Sequence, residues 1–162
     1  MVIVLMGVAG SGKTTVGQLL ATQLGWSFRD ADDFHPPENV AKMSSGVPLT
    51  DRDRAPWLAA IRAHLAEKLA RGEGAIVTCS ALKERYRAVL LGDGSGVQFV
   101  HLTGTPELLA ARIGARQGHF MKPEMLPSQL AALEPPTDAL AVDIAPPPDE
   151  IVAHIRRLLA LS

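Results

Sequence analysis

The stretch Val2-Ile3-Val4-Leu5-Met6-Gly7-Val8-Ala9-Gly10-Ser11-Gly12-Lys13-Thr14-Thr15 decides the fold. Five consecutive apolar residues ending in glycine predict a central strand buried on both faces. The next eight residues, Gly7 to Thr14, match G-x-x-x-x-G-K-[ST] at every fixed position. A helix is expected from Lys13 to Leu24, with Val16, Leu19, Leu20 and Leu24 on one face and Gly25 as its stop. The glycines let the backbone curl so that successive N–H groups face phosphate oxygens, and the helix N-terminus adds partial positive charge. Gly7, Ala9, Gly10, Ser11, Gly12, Lys13, Thr14 and Thr15 are therefore expected to bind a nucleotide. Lys13 supplies charge at the β/γ phosphates, the Thr14 hydroxyl is placed for Mg²⁺, and Thr15 lies on the α-phosphate side.

Downstream, strands and helices alternate. A short strand in which Trp26 and Phe28 alternate with polar neighbours leads to Asp30, and Ala75–Thr78, Val97–Thr103 and Ala139–Ala145 are further expected strands. Helices are expected from Pro56 to about Arg71 (stripe Trp57, Leu58, Ile61, Leu65, Leu69) and from Lys83 to Leu91 (Tyr86, Val89 and Leu90 inward). Others start at Thr105-Pro106 and after Pro148, the last with Ile151, Val152, Ile155, Leu158 and Leu159 inward. This pattern implies an α/β fold with a five-stranded, mostly parallel sheet and helices on both faces. In such sheets ligands sit beyond the carboxyl ends of the strands. The 162 residues suit one domain spanning 1–162. All twelve prolines fall within 36–56 and 106–148, so those windows should hold turns, helix starts and movable segments rather than scaffold.

Sixteen basic against seventeen acidic residues leave a net charge of −1, which argues against a nucleic-acid or membrane-surface partner held by bulk charge. The single cysteine, Cys79, excludes an internal disulfide or a Cys-based zinc site. No apolar run approaches the roughly 18 residues of a membrane span, and Val2–Met6 is too short for a signal segment. A cytoplasmic location is expected.

No N-K-x-D guanine-reading motif occurs, and the third strand ends in Cys79-Ser80 rather than an acid, so switch GTPases and motor ATPases are disfavoured. Acids appear instead after the second strand. Asp30 and Asp32, two apart in an extended chain, should project to one side. Asp30 is expected near the metal, and Asp32 is expected to orient and deprotonate an acceptor hydroxyl. The alternative is a solvated acidic turn, the expected role of Asp33.

Several blocks carry a resemblance. Asp30-Ala31-Asp32-Asp33-Phe34-His35-Pro36, Asn39-Val40-Ala41-Lys42-Met43, Gly46-Val47-Pro48-Leu49 and Asp51-Arg52-Asp53-Arg54-Ala55-Pro56-Trp57-Leu58 resemble the gluconokinases of the small P-loop kinase type. So do Cys79-Ser80-Ala81-Leu82-Lys83 with Tyr86 and Arg87, Ala115-Arg116-Gln117-Gly118-His119-Phe120, Ser128-Gln129 and Leu133-Glu134-Pro135. One departure is Ala31, where the family usually has glycine. The resemblance implies a three-layer P-loop kinase fold of the adenylate-kinase or shikimate-kinase kind, with a lid and commonly a homodimer. It implies transfer of the ATP γ-phosphate to the 6-hydroxyl of D-gluconate.

An anionic polyol needs a cation for its carboxylate and hydrogen-bonding groups for its hydroxyls. Arg54, read as preceding the Pro56 helix, has a planar fork suited to a carboxylate; a surface pairing with Asp51 or Asp53 is the alternative. Lys83 and Arg87, one helical turn apart, can present two cations to one cleft, although Arg87 reads equally as an exposed helix charge. His35 is a candidate partner for substrate hydroxyls or a structural turn residue. Residues 112–136 have the marks of a lid. Arg112 and Arg116 lie four apart on one helix and are expected at the triphosphate, with Arg116 favoured as the catalytic arginine. His119 and Gln129 are expected to contact gluconate on closure. Pro146 to Pro148 are candidates for the adenine edge. The alternatives are phosphorylation of shikimate or another acidic polyol, and a non-catalytic ATP-binding module.

Overall fold

β1 (Val2–Met6) has no exposed residue, and its side chains divide between two cores. Ile3 and Leu5 point to one face, whereas Val2, Val4 and Met6 point to the other, the alternation a pleated strand enforces. The computed structural model describes residues 1–115 and 126–162. After β1 come α1 (Lys13–Leu24), β2 (Ser27–Asp30), a 3-10 turn (Ala31–Phe34), α2 (Pro37–Ser44) and α3 (Asp51–Ala70). β3 (Ala75–Thr78), α4 (Glu84–Leu91), β4 (Val97–Thr103), α5 (Pro106–Ala115), α6 (Leu126–Ala132), β5 (Leu140–Asp143) and α7 (Pro148–Leu158) follow.

The strands lie in the order β2-β3-β1-β4-β5, and every neighbouring pair is parallel. All five carboxyl ends therefore open onto one side, with β1 central. One face carries Val16 and Leu20 of α1, Leu109 and Ile113 of α5, and Ile151, Val152 and Ile155 of α7. The opposite face carries Trp57, Leu58, Ile61 and Leu65 of α3 with Leu90 of α4. The expected sheet and layers are present.

Three local expectations need correction. α3 does not begin at Pro56. It begins five residues earlier, at Asp51, capped by Thr50: the Thr50 hydroxyl accepts from Asp53 N at 3.1 Å, and Asp53 Oδ2 accepts from Thr50 N at 2.9 Å. Pro56 is left inside the helix and Arg54 becomes a helical residue. Val89 of α4 is exposed, and Arg87 takes the inward position beside Leu90. Leu158 of α7 is likewise exposed, because Ile151, Val152 and Ile155 already fill the face toward the sheet.

Candidate active site

The phosphate loop follows β1 and delivers its glycines to the sheet's open end. Gly12 precedes α1 in a left-handed conformation (φ +85°), and no side chain caps the helix, so its first-turn N–H groups face outward. Gly10 (φ +83°) lies so close to α5 that a Cβ would sit 2.8 Å from Ile113 Cγ1 and 2.9 Å from the Leu109 carbonyl. Glycine is needed there for both backbone sign and space. Lys13 Nζ folds back over the loop, donating to the carbonyls of Gly7 (2.9 Å) and Val8 (3.1 Å). Thr14 and Thr15 are exposed at the start of α1, and Ser11 is fully buried. On the far side of the loop, Gln129 Oε1 of α6 accepts from Ala9 N at 2.7 Å.

β2 pairs with β3 so that Asp30 sits opposite Thr78, level with the end of the central strands. Thr14 Oγ1 approaches Asp30 Oδ2 at 3.5 Å. The chain does not stay extended after Asp30, contrary to the spacing argument. It enters the 3-10 turn, whose N-cap is Asp30 itself: Oδ1 accepts from Asp32 N at 2.9 Å. Asp30 therefore shapes the turn with one oxygen and faces Thr14 with the other, while Asp32 is presented on the turn, exposed. Trp57 Nε1 of α3 fixes this turn from below by donating to the buried Ala31 carbonyl at 2.7 Å. Ala31 has no left-handed φ, so the methyl in place of the family's glycine fits without backbone strain. Asp33 is exposed and pairs with Arg29 at 3.8 Å. Cys79, buried just after β3, feels the charges of Lys13, Asp32 and Asp30. Burial dominates there and pushes the Cys79 thiol up to about 12.

The candidate acceptor residues lie on the end of the acidic turn and on α3 and α4, with α2 packed beside them. His35 ends the acidic turn and stacks on Trp57, with ring centroids 4.4 Å apart and planes 8° apart. Lys42 pairs with Asp53 at 2.8 Å. Arg54 is about one-third exposed. It donates to Tyr86 Oη at 3.2 Å and stands 3.9 Å from Asp51, while Tyr86 donates to Asp51 at 2.6 Å. Arg85 of α4 also reaches Asp51, at 2.7 Å. The guanidinium of Arg54 is thus held in a shared network rather than by a single acid.

Lys83 is the N-cap residue of α4 and is half-buried. Arg87 is not an exposed helix charge. It is 7% exposed, and it donates to the carbonyls of Ala81 (2.8 Å), Leu82 (3.1 Å) and Glu134 (2.7 Å). Ala81 has φ +46°, a strained value for alanine, so Arg87 braces the turn that carries Lys83. Glu134 completes the brace, donating its N–H to Leu82 O (2.8 Å) and accepting from Glu84 N (2.7 Å).

Arg112 of α5 donates to Ile144 O at 2.7 Å. It lines a cleft of about 340 Å³ with Gly10, Ser11, Gly12, Thr15 and Pro148, so the loop, one candidate arginine and one candidate adenine-edge proline share a concavity. Arg116 and His119 lie outside the described residues. Asn39, Tyr86, Trp57 and Glu134 belong to the site's framework, yet the sequence marked them only as parts of resembling blocks or as core. The Thr50-x-x-Asp53 capping box was the one local signal that would have moved Arg54 onto α3.

A parallel sheet with a phosphate loop after its central strand and an acidic turn facing it defines a small-molecule P-loop kinase. The shikimate kinase family model matches residues 9–133. A gluconokinase from Gluconobacter oxydans is 55% identical over 136 residues, covering 84% of this chain and 76% of the relative. Among solved structures, a sugar kinase from Janibacter superposes with a TM-score of 0.89 at 41% identity, covering 99% of this chain and 95% of that one. A gluconokinase from Sinorhizobium meliloti superposes at 0.82 with 45% identity, covering 98% and 94%. Within the kinase class that the family model describes, the chain belongs to the gluconokinase family.

Proposed function

We propose that the protein transfers the γ-phosphate of ATP to the 6-hydroxyl of D-gluconate, giving 6-phospho-D-gluconate and ADP. The observation that carries the chemistry is the 3.5 Å approach of Thr14 to Asp30, which sets the turn bearing Asp32 against the phosphate loop. The choice of gluconate is supported by relatives named as gluconokinases at up to 55% identity.

In this reading the open N–H groups of the loop and α1 receive the phosphates, and Lys13 exchanges its loop carbonyls for phosphate oxygens. Thr14 and Asp30 offer two hard oxygens, the donor chemistry that suits Mg²⁺. Bound there, Mg²⁺ would neutralise charge on the β and γ phosphates. Asp32 orients the acceptor hydroxyl and takes its proton as the new O–P bond forms and the bond to ADP breaks. Arg54 receives the gluconate carboxylate from its seat on Tyr86, and Lys83 and His35 face the polyol. Arg87 supports this side through the Ala81 turn rather than by touching substrate. Arg112 stands at the triphosphate and Pro148 at the nucleotide base, while Arg116 and His119 act from the lid at 112–136. Gln129, bonded to Ala9, ties the lid's return to the phosphate loop.

The chain acts as one kinase domain, a cytoplasmic homodimer in the same reading. No described helix is long and apolar enough to cross a membrane. ADP release measured with gluconate, with shikimate and without acceptor tests the reading. Gluconate-dependent turnover is expected. Turnover that ignores the acceptor, or that prefers shikimate, would overturn it.

A further inference from the structure

His35 and Asn39 form a partly buried polar pair whose hydrogen-bond directions leave only one arrangement. Asn39 is 3% exposed on α2. Its Nδ2 lies 2.8 Å from the Asp53 carbonyl oxygen and 3.2 Å from His35 Nδ1. A carbonyl oxygen only accepts, so the Asn39 atom facing it is the amide NH2 group. That group has two hydrogens and meets two partners. His35 Nδ1 must therefore accept the second, which leaves the ring proton on Nε2.

The ring's orientation is fixed as firmly as its proton. Its parallel stack on Trp57 sets the plane, and Trp57 is itself tied to Ala31 O. Asp53, which anchors Asn39 through its carbonyl, is held by the α3 capping box. Burial first, and then the Arg54 guanidinium, lower the His35 pKa below its ordinary value, so the ring is neutral at pH 7. An imidazolium would also turn an Nδ1–H against the Asn39 amide hydrogens. Among the described residues no group accepts from Nε2, and the ring is only partly buried. His35 N–H meanwhile donates to Asp32 O at 3.3 Å, which joins the ring to the turn bearing Asp32.

We propose that Asn39 is a positioning residue that locks His35 as the Nε2–H tautomer, so that His35 offers one hydrogen-bond donor to a hydroxyl or carboxylate oxygen of the acceptor. The substrate half of this proposal rests on the function proposed above; the tautomer half does not.

Two measurements separate the halves. A long-range proton–nitrogen correlation spectrum of the ¹⁵N-histidine-labelled free protein, with the His35 signals identified by their loss in His35→Gln, should show a pyridine-type Nδ1 and a pyrrole-type Nε2. A reversed or averaged pattern would overturn the lock. In Asn39→Ala the same signals should average; if that variant does not fold, the parent spectrum alone decides the tautomer. Kinetics then test the donor. Glutamine places an amide N–H near the imidazole Nε2 position, whereas asparagine reaches only the Nδ1 position. His35→Gln should keep the KM for gluconate within about threefold of the parent, while His35→Asn should raise it about tenfold, the worth of one hydrogen bond. KM for ATP should stay unchanged in both. Equal gluconate KM values in the two variants would overturn the donor role. If the parent turns over no gluconate, the proposed function fails, while the nitrogen spectrum still tests the lock.

Discussion

Replacing Arg87 with methionine separates a brace from a substrate cation. Methionine keeps the unbranched apolar stem but removes three charge-assisted hydrogen bonds to main-chain carbonyls. Such bonds contribute about 1.5 kcal/mol each at the low end of their range. Two of the three share Nη1, one of those is long at 3.1 Å, and water can reach the freed carbonyls of Leu82 and Glu134 in part. The expected loss is therefore about 3 kcal/mol rather than the full sum. For a chain of this size that corresponds to a fall in Tm of about 6–12 °C. Thermal unfolding by circular dichroism measures it, and steady-state kinetics below the new Tm measure the site. The brace predicts the drop in Tm together with a lower kcat, because the Ala81 turn and Lys83 move together. A Tm within 2 °C of the parent (roughly 1 kcal/mol or less) combined with a large rise in gluconate KM would refute the reasoning and restore Arg87 as a substrate cation.

Four further outcomes are expected. Thr50→Ala should cost about 1 kcal/mol by removing half of the capping box, seen as a Tm lower by about 2–4 °C; an unchanged Tm would deny the box its role. The Lys42 hydrogen bond, followed by the Thr50 N–H, holds the Asp53 carboxyl at about 2 against an ordinary 3.8. Because the folded value lies below the unfolded one, this contribution is fully present above pH 4 or so and is lost as pH falls through about 2. Denaturant unfolding across that window should lose stability on acidification, and Asp53→Asn should flatten that part of the curve. Cys79, buried with its thiol raised to about 12, should resist iodoacetamide in the native state at pH 9 yet react in denaturant; labelling at the rate of an open thiol would contradict its burial. Asp32→Asn should lower kcat by about 10²–10⁴ with little change in ATP binding, and an undiminished kcat would remove Asp32 as the base.

The sheet was legible because its evidence is local and redundant. Val2–Met6 is apolar at every position, the phosphate loop has fixed glycines, and Gly25 ends α1 with φ +69°. The proline windows kept only part of their meaning: Pro37, Pro106 and Pro148 each begin a helix, but Pro56 lies inside α3 and the core strand β5 runs within the second window. What the sequence hid was set by polar partners distant along the chain. The start of α3 lay in a Thr-Asp pair outside the apolar stripe. The inward face of α4 went to Arg87 because three carbonyls, one of them 47 residues away, outweigh an apolar Val89. The geometry of Asp30 and Asp32 could not follow from an extended-chain spacing, because Asp30 caps the turn that displaces Asp32. The same distance in sequence concealed Asn39, whose role depends on His35 and on the carbonyl of Asp53.

Near-neutral charge and a few placed cations suit a protein that holds small anions rather than a polyanionic surface. The most direct test of that account is the identity and position of the phosphorylated product, read by ³¹P–¹H correlation NMR in a reaction of the purified protein with ATP, Mg²⁺ and D-gluconate. The account predicts one phosphate on the primary C6 oxygen for every ADP formed. ADP accompanied by free phosphate, or a phosphate on any other carbon, would contradict it.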